Sequence, residues 1–289
     1  AVMRAKLESA LPFGLLAPSL VFLFLLILIP ILQAFLLAFQ TPDGSFTTAH
    51  FQKMLGDTNF QDALKFTFLL LIFVVPIQII VALVMALLIH TRFKGHTLFL
   101  YIFAIPLAIS DLAAGITWLS IFTERGYLNS ILTSSGILEK PFLFLSYQNP
   151  TAVFATIVLA EAWRATAIVM VILLAGLQVI PRDYFEAADV FGASKWKRVV
   201  FVILPLLRPS LQSALIIRTI FAFQTFSVVM VLAGRVMPVI AGESYFWYVS
   251  NRNSNVAAAY AVLILAFTLI ATYASLRFLR TSQTEAWLA

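Results

Sequence analysis

Four ionisable residues stand inside otherwise uncharged apolar runs: Asp111, Glu161, Arg164 and Arg218. A charge at the centre of a bilayer costs about 2.5–3.5 kcal/mol on insertion scales, so residues that carry it face a partner or a water-filled pathway. Glu161 and Arg164 are three apart and share a helix face, which allows them to pair. Asp111 is a further partner for Arg164 or Arg218. Mutual neutralisation and contact with a polar solute are therefore both open uses of the four groups. Covalent and hydrolytic chemistry have no residues to carry them. There is no Cys, no G-x-x-x-x-G-K-[ST] loop and no HExxH, and His50, His90 and His96 make no metal-spaced pair. Paired intramembrane carboxylates are absent as well.

A second constellation lies between residues 181 and 208. Pro181 ends one helix or starts the next. Asp183, Glu186 and Asp189 place negative charge in the first turns of a helix beginning there, where the helix dipole favours it. Ala187 and Ala188 permit close approach of another surface. Gly192 supplies a turn, and Lys195, Trp196, Lys197 and Arg198 open a basic, aromatic segment that runs to Pro205 and Pro209. The pattern predicts a helix–turn–helix bracket. Physically it is either a docking element for a soluble partner or an amphipathic hairpin lying on lipid headgroups.

The elements that hold these residues follow from composition. Of 289 residues, 62% are hydrophobic, 27 are Phe and only 11% are charged. Such a chain has too few charges to cover a soluble surface, which excludes a soluble enzyme, a disordered chain and a secreted disulfide scaffold. A spanning helix needs about 20 apolar residues. Six runs qualify, at 11–39, 66–89, 97–123, 151–178, 209–234 and 256–276, within one transmembrane domain covering 1–289. The first run is too long for a signal-peptide core and lacks a cleavage site, so it is read as retained. A natural chain starts with Met, so further residues are expected before Ala1. The short run Pro141 to Leu145 cannot span and is assigned to the interface. Pro30, Pro76 and Pro106 interrupt the first three runs.

Lys and Arg set the orientation. With the N-terminus inside, inner segments hold eleven basic and five acidic residues, and outer segments hold six of each. Both termini are therefore expected in the cytoplasm. The pI of about 9.7 follows from inner loops and requires no nucleic acid.

The bracket resembles the EAA motif of ABC-transporter permease subunits. Glu186-Ala187-Ala188 is followed after three residues by Gly192 and after nine more by Val202, where the family has Ile, then by Ile203 and Leu204-Pro205. The flanks are similar to the binding-protein-dependent carbohydrate-uptake branch, the MalF-like sugar permeases. They include Leu16 to Leu32, Ala160 to Arg164, Leu174 to Pro181 and Arg218 to Phe226. One departure is Ala233-Gly234-Arg235-Val236-Met237-Pro238, where the family often has a Thr-x-Gly-Gly-Pro turn. That departure blurs the sub-branch and the substrate.

The resemblance implies an all-α, six-helix importer permease in a prokaryotic inner membrane. Its partners would be a second permease subunit in a heterodimer, two ATPase subunits and an external binding protein that delivers a sugar. The chain would bind no cofactor and would not be an enzyme, since ATP and Mg act on the ATPases. Glu186, Ala187, Ala188 and Gly192 would form the coupling contact, with Glu186 as charged anchor and Gly192 as bend. Asp111, Arg164, Ala165, Ile168, Arg218, Phe221, Ala222 and Thr225 fall where pathway-facing residues sit in the family, with Trp118, Trp163 and Gln224 of lower rank. Sugars offer hydroxyls to bidentate polar groups and ring faces to aromatics, which suits this set. The alternatives are a permease for glycerol phosphate or another polar solute, and an ion-coupled carrier using Asp111 and Glu161. The bracket, and the lack of inverted repeats, stand against the carrier.

Overall fold

The computed structural model describes residues 15–41 and 43–278. The start of the first run and the terminal charges Arg4, Lys6, Glu8, Arg280 and Glu285 lie outside the described residues. Among the described residues there is no strand, only an isolated antiparallel bridge between Gln40 and Phe46. Four helices are long and apolar enough to cross a membrane, and there are up to six spans if each of two bent pairs counts as one.

The chain packs as two units, one up to Thr58 together with Ser244–Leu263, the other Asn59–Glu243 together with the chain from Ile264. In the first unit, α1 (Leu15–Phe39) leaves its most apolar stretch unburied, as suits a helix surrounded by hydrocarbon. Asp57 ties the rest of that unit together. Its Oδ2 accepts hydrogen bonds from Trp247 Nε1 at 2.6 Å and Tyr260 Oη at 3.0 Å, and Lys53 of α2 (Ala49–Leu55) lies over the Trp247 ring. Asn255 donates to the carbonyls of Leu37 and Gln40, closing the end of α1.

The second unit is built on α3 (Phe60–His90) packed along α7 (Pro150–Val179). Two apolar clusters line their contact. One joins Leu70 and Val74 to Val153, Ile157, Val228 and Val229. The other joins Ala82, Met85 and Ala86 to Met170, Leu173, Leu207 and Ala214. Helices in lipid associate through close packing rather than through a hydrophobic force, so small residues at the contact matter. Gly176 shows this directly: a Cβ there would collide with Ser210 and with Leu207.

Two of the predicted continuous helices are broken. The run 97–123 is α4 (His96–Ala104), a 3-10 turn at Ile105–Ala108, and α5 (Asp111–Phe122), with a bend of 105°. Pro106 sits in the turn, Ile109 is extended, and the Ser110 side chain caps α5 by accepting from Ala113 N at 3.2 Å. Proline followed by a Ser cap is a stop and restart signal, which the uncharged run concealed. α6 (Tyr127–Ser134) follows. The predicted interfacial run 141–145 lies in the irregular segment beyond it, pinned by buried Asn129. That side chain donates to Phe142 O at 2.9 Å and accepts from Phe142 N at 2.9 Å.

The run 209–234 is likewise two helices, α10 (Arg208–Phe223) and α11 (Ser227–Leu232). No Pro or Gly marks the break at 224–226, where Phe226 has φ −142° and ψ −60°. The break is imposed by tertiary packing, which overrides local preference. Between α7 and α10 lie α8 (Arg182–Val190) and α9 (Lys195–Leu206). α9 meets α10 at 71°, where Pro209 removes a backbone donor.

Gly176→Ala is expected to cost about 1–3 kcal/mol through overpacking of α7 against α10. Thermal unfolding in detergent would show a lower Tm, with partial recovery in Gly176→Ala/Ser210→Gly.

Candidate functional site

The intramembrane charges form one connected chain of contacts. Arg164 on α7 is its centre. Nη1 reaches Asp111 Oδ1 at 2.7 Å and Nη2 reaches Glu161 Oε2 at 3.0 Å. Asp111 is the first residue of α5 rather than a mid-helix residue, and its side chain is 52% exposed. The 105° bend brings it to Arg164. Glu161 is buried, and the Arg164 guanidinium supplies the partner that a buried carboxylate requires.

Arg218 on α10 takes a different partner from the ones predicted. It is 2% exposed, and its Nε donates to Gln78 Oε1 at 2.7 Å. Gln78 of α3, itself fully buried, donates Nε2 to the backbone carbonyl of Glu161 at 2.8 Å. One amide thus links α3, α7 and α10 and ends beside the Glu161–Arg164–Asp111 group. Gln78 was not legible as a site residue because it carries no charge. Its signal was a primary amide in an otherwise apolar run, which must find both a donor and an acceptor when buried.

Trp118 on α5 and Trp163 on α7 meet edge to face at 5.9 Å. Both are half-buried. Ala165 and Ala222 are buried, Ile168 packs against the α3–α7 core, and Phe221 and Gln224 are exposed. Thr225 is buried at the break after α10, with Oγ1 3.4 Å from Phe221 O. The structure therefore joins Asp111 directly to Arg164 and links Arg218 through Gln78 to the backbone of Glu161, while Trp118 and Trp163 pair with each other. Phe221, Ala222, Gln224 and Thr225 sit at the C-terminal end of α10, one to two turns beyond Arg218.

The bracket is α8 and α9. α8 ends in a left-handed turn at Gly192, φ +69°, with Ala193 N bonded to Ala188 O at 2.9 Å and Gly192 N to Asp189 O at 3.0 Å. This pair of bonds is a Schellman C-cap, and its αL position favours Gly. A Cβ at Gly192 would meet nothing within 4 Å, so backbone conformation alone calls for Gly there. Ser194 caps α9, and an Arg198–Asp189 ion pair at 2.6 Å braces the two arms. Val190, Phe191 and Trp196 are strongly exposed around the turn, and Glu186 and Ala187 are exposed beside Ala188, which is buried.

Residues 8–281 match the family described as "Binding-protein-dependent transport system inner membrane component". The chain belongs to this family. The permease is 29% identical over 277 residues to the trehalose/maltose transport system permease protein MalF of Thermococcus litoralis, covering 91% of this chain and 92% of that one. It is 33% identical over 235 residues to the trehalose transport system permease protein SugA of Mycobacterium tuberculosis, covering 78% and 74%. In fold it is similar to a chain in the crystal structure of a bacterial ABC transporter involved in import of the acidic polysaccharide alginate. There the TM-score is 0.79 at 21% identity, over 96% of this chain and 99% of that one.

Within the permease, leaving Arg218 without its acceptor costs more than deleting both groups. A buried donor that loses its partner costs about 1–3 kcal/mol, and more when charged. Gln78→Leu is therefore expected to lower the detergent Tm markedly, and Gln78→Leu/Arg218→Met to recover most of the loss in a double-mutant cycle.

Proposed function

We propose that the permease is the membrane subunit of an ATP-driven importer for a di- or oligosaccharide of the maltose or trehalose kind. It pairs with a second permease subunit, takes sugar from an external binding protein and docks on two ATPase subunits. Both termini lie in the cytoplasm of a prokaryotic cell, so that the bracket meets the ATPases there. The observation that carries this reading is the bracket itself. A braced helix–turn–helix exposing Val190, Phe191 and Trp196 around its turn offers an apolar surface that suits insertion into a cleft of a soluble subunit. Glu186, Ala187, Ala188 and Gly192 are assigned to that contact.

The trehalose and maltose permeases among its relatives support a sugar as substrate. The polar chain supports it chemically. Asp111 is half exposed and Arg164 keeps one buried donor, Nε, with no hydrogen-bond partner among the described residues. Trp118 and Trp163 pair on the same two helices that carry Asp111 and Arg164, so those helices supply both hydroxyl-binding groups and aromatic faces. Arg218 belongs to the same chain as the buried group that positions it. Phe221, Ala222 and Thr225, with Ala165 and Ile168, are assigned to the pathway wall.

Two measurements test the reading. The detergent-solubilised permease is expected to co-purify with a P-loop ATPase, and Glu186→Lys is expected to abolish recovery. Uptake powered by a proton gradient without ATP would overturn the reading. Asp111→Ala is expected to reduce sugar uptake while ATPase recovery stays at the wild-type level; unchanged uptake kinetics would return Asp111 to a purely structural role.

A further inference from the structure

A cavity of about 700 Å³ opens between the end of α3, the start of α4, the end of α7 and the coupling helix α8. It is distinct from the polar chain, which lies between the two apolar clusters further along α3. Two guanidinium groups line it from opposite elements, Arg92 just after α3 and Arg182 at the start of α8. Neither is in an ion pair among the described residues. The one carboxylate in the lining is Glu186. His90 adds a ring that packs against Phe185 at 5.4 Å.

Arg92 is also one of two non-glycine residues with a left-handed backbone among the described residues, at φ +52°. An Arg in that conformation is uncommon, because Gly and Asn adopt it at lower cost. The end of α3 would favour a cation through its dipole. That accounts for Arg92 alone, not for Arg182 facing the same cavity from another helix.

We propose that this cavity is a binding site for a phosphate group, bridged by Arg92 and Arg182. Planar guanidinium forks match phosphate oxygens in bidentate fashion. The cavity lies at the end of a spanning helix, on the side where the Lys and Arg bias places the cytoplasm. Basic pockets between helices at that level hold the headgroups of anionic lipids. The phosphate therefore comes from a lipid headgroup or from a free phosphorylated solute. Bound there, it holds α8 against the ends of α3 and α4. The site thus makes the position of the coupling helix depend on an anion, a regulation that rests on the transport reading although the binding itself does not.

The test is native mass spectrometry of the assembled transporter, titrated separately with cardiolipin, phosphatidylcholine and inorganic phosphate. Arg92→Asn/Arg182→Gln removes both charges, and Asn suits the left-handed backbone. Thr97→Trp fills the cavity while keeping both guanidinium groups. Wild type is expected to bind cardiolipin or inorganic phosphate, and not phosphatidylcholine, at least about tenfold more tightly than either variant, as loss of charge-assisted hydrogen bonds implies. Cardiolipin alone identifies a headgroup site, and inorganic phosphate alone a solute site. Binding by wild type no tighter than by the two variants, or equal uptake of phosphatidylcholine, would overturn the proposal irrespective of whether the transporter carries sugar.

Discussion

A guanidinium surrounded by hydrocarbon has to be met by hydrogen-bond acceptors, and the second unit is arranged around satisfying two of them. The polar layer of Gln78, Glu161, Arg164 and Arg218 lies between two apolar clusters that α3 and α7 share. Below and above it, methyl and methylene groups pack with small residues; at its level, geometry must be specific because every unmet donor is costly. This layer fixes the register of α3, α7 and α10 in a way that interchangeable Leu and Ala contacts cannot. Asp111 joins the layer from the first turn of α5, whose start is set by Pro106 and the Ser110 cap.

The sequence made the charged members of this layer visible, because charge is scarce in the chain. Glu161 and Arg164 could be paired from spacing alone. The bracket was legible too, since Gly192 and the residues around it follow a fixed pattern with a backbone reason behind each gap. Three things were not. Gln78 carries no charge and hides in an apolar run. The restart at Ser110 was masked by reading hydropathy over a window longer than a turn. The break at 224–226 has no local cause, being set by how α11 packs against α5 and α7. Asp111 was expected to meet Arg164 or Arg218 and meets Arg164, whereas the partner of Arg218 is Gln78, one of the features that was missed.

The bracket runs directly into the helix that carries one member of the polar layer. α9 is the second arm of the bracket and meets α10 across a 71° bend, and α10 carries Arg218. Leu207 at the bend and Ile203 in α9 are both buried in the core cluster of α3 and α7. A displacement of the bracket therefore meets packed side chains before it reaches the buried guanidinium. Packed elements joined in this way are the physical medium through which two sites bias each other.

The spacing from Gly192 to Ile203 and Leu204-Pro205 has a mechanical meaning. Gly192 fixes the turn through backbone conformation, and Ile203 is locked in the core, so the helical winding between them is held at both ends. Each residue of an α-helix advances the azimuth by about 100°, and the π turn at Val199–Ile203 advances it by somewhat less per residue. One residue more or fewer in α9 would leave its volume and composition almost unchanged, yet would twist Phe191 and Trp196 away from their direction relative to the bundle. The gap thus acts as a phase setting, and the length of this arm is constrained by torsion rather than by any side chain within it.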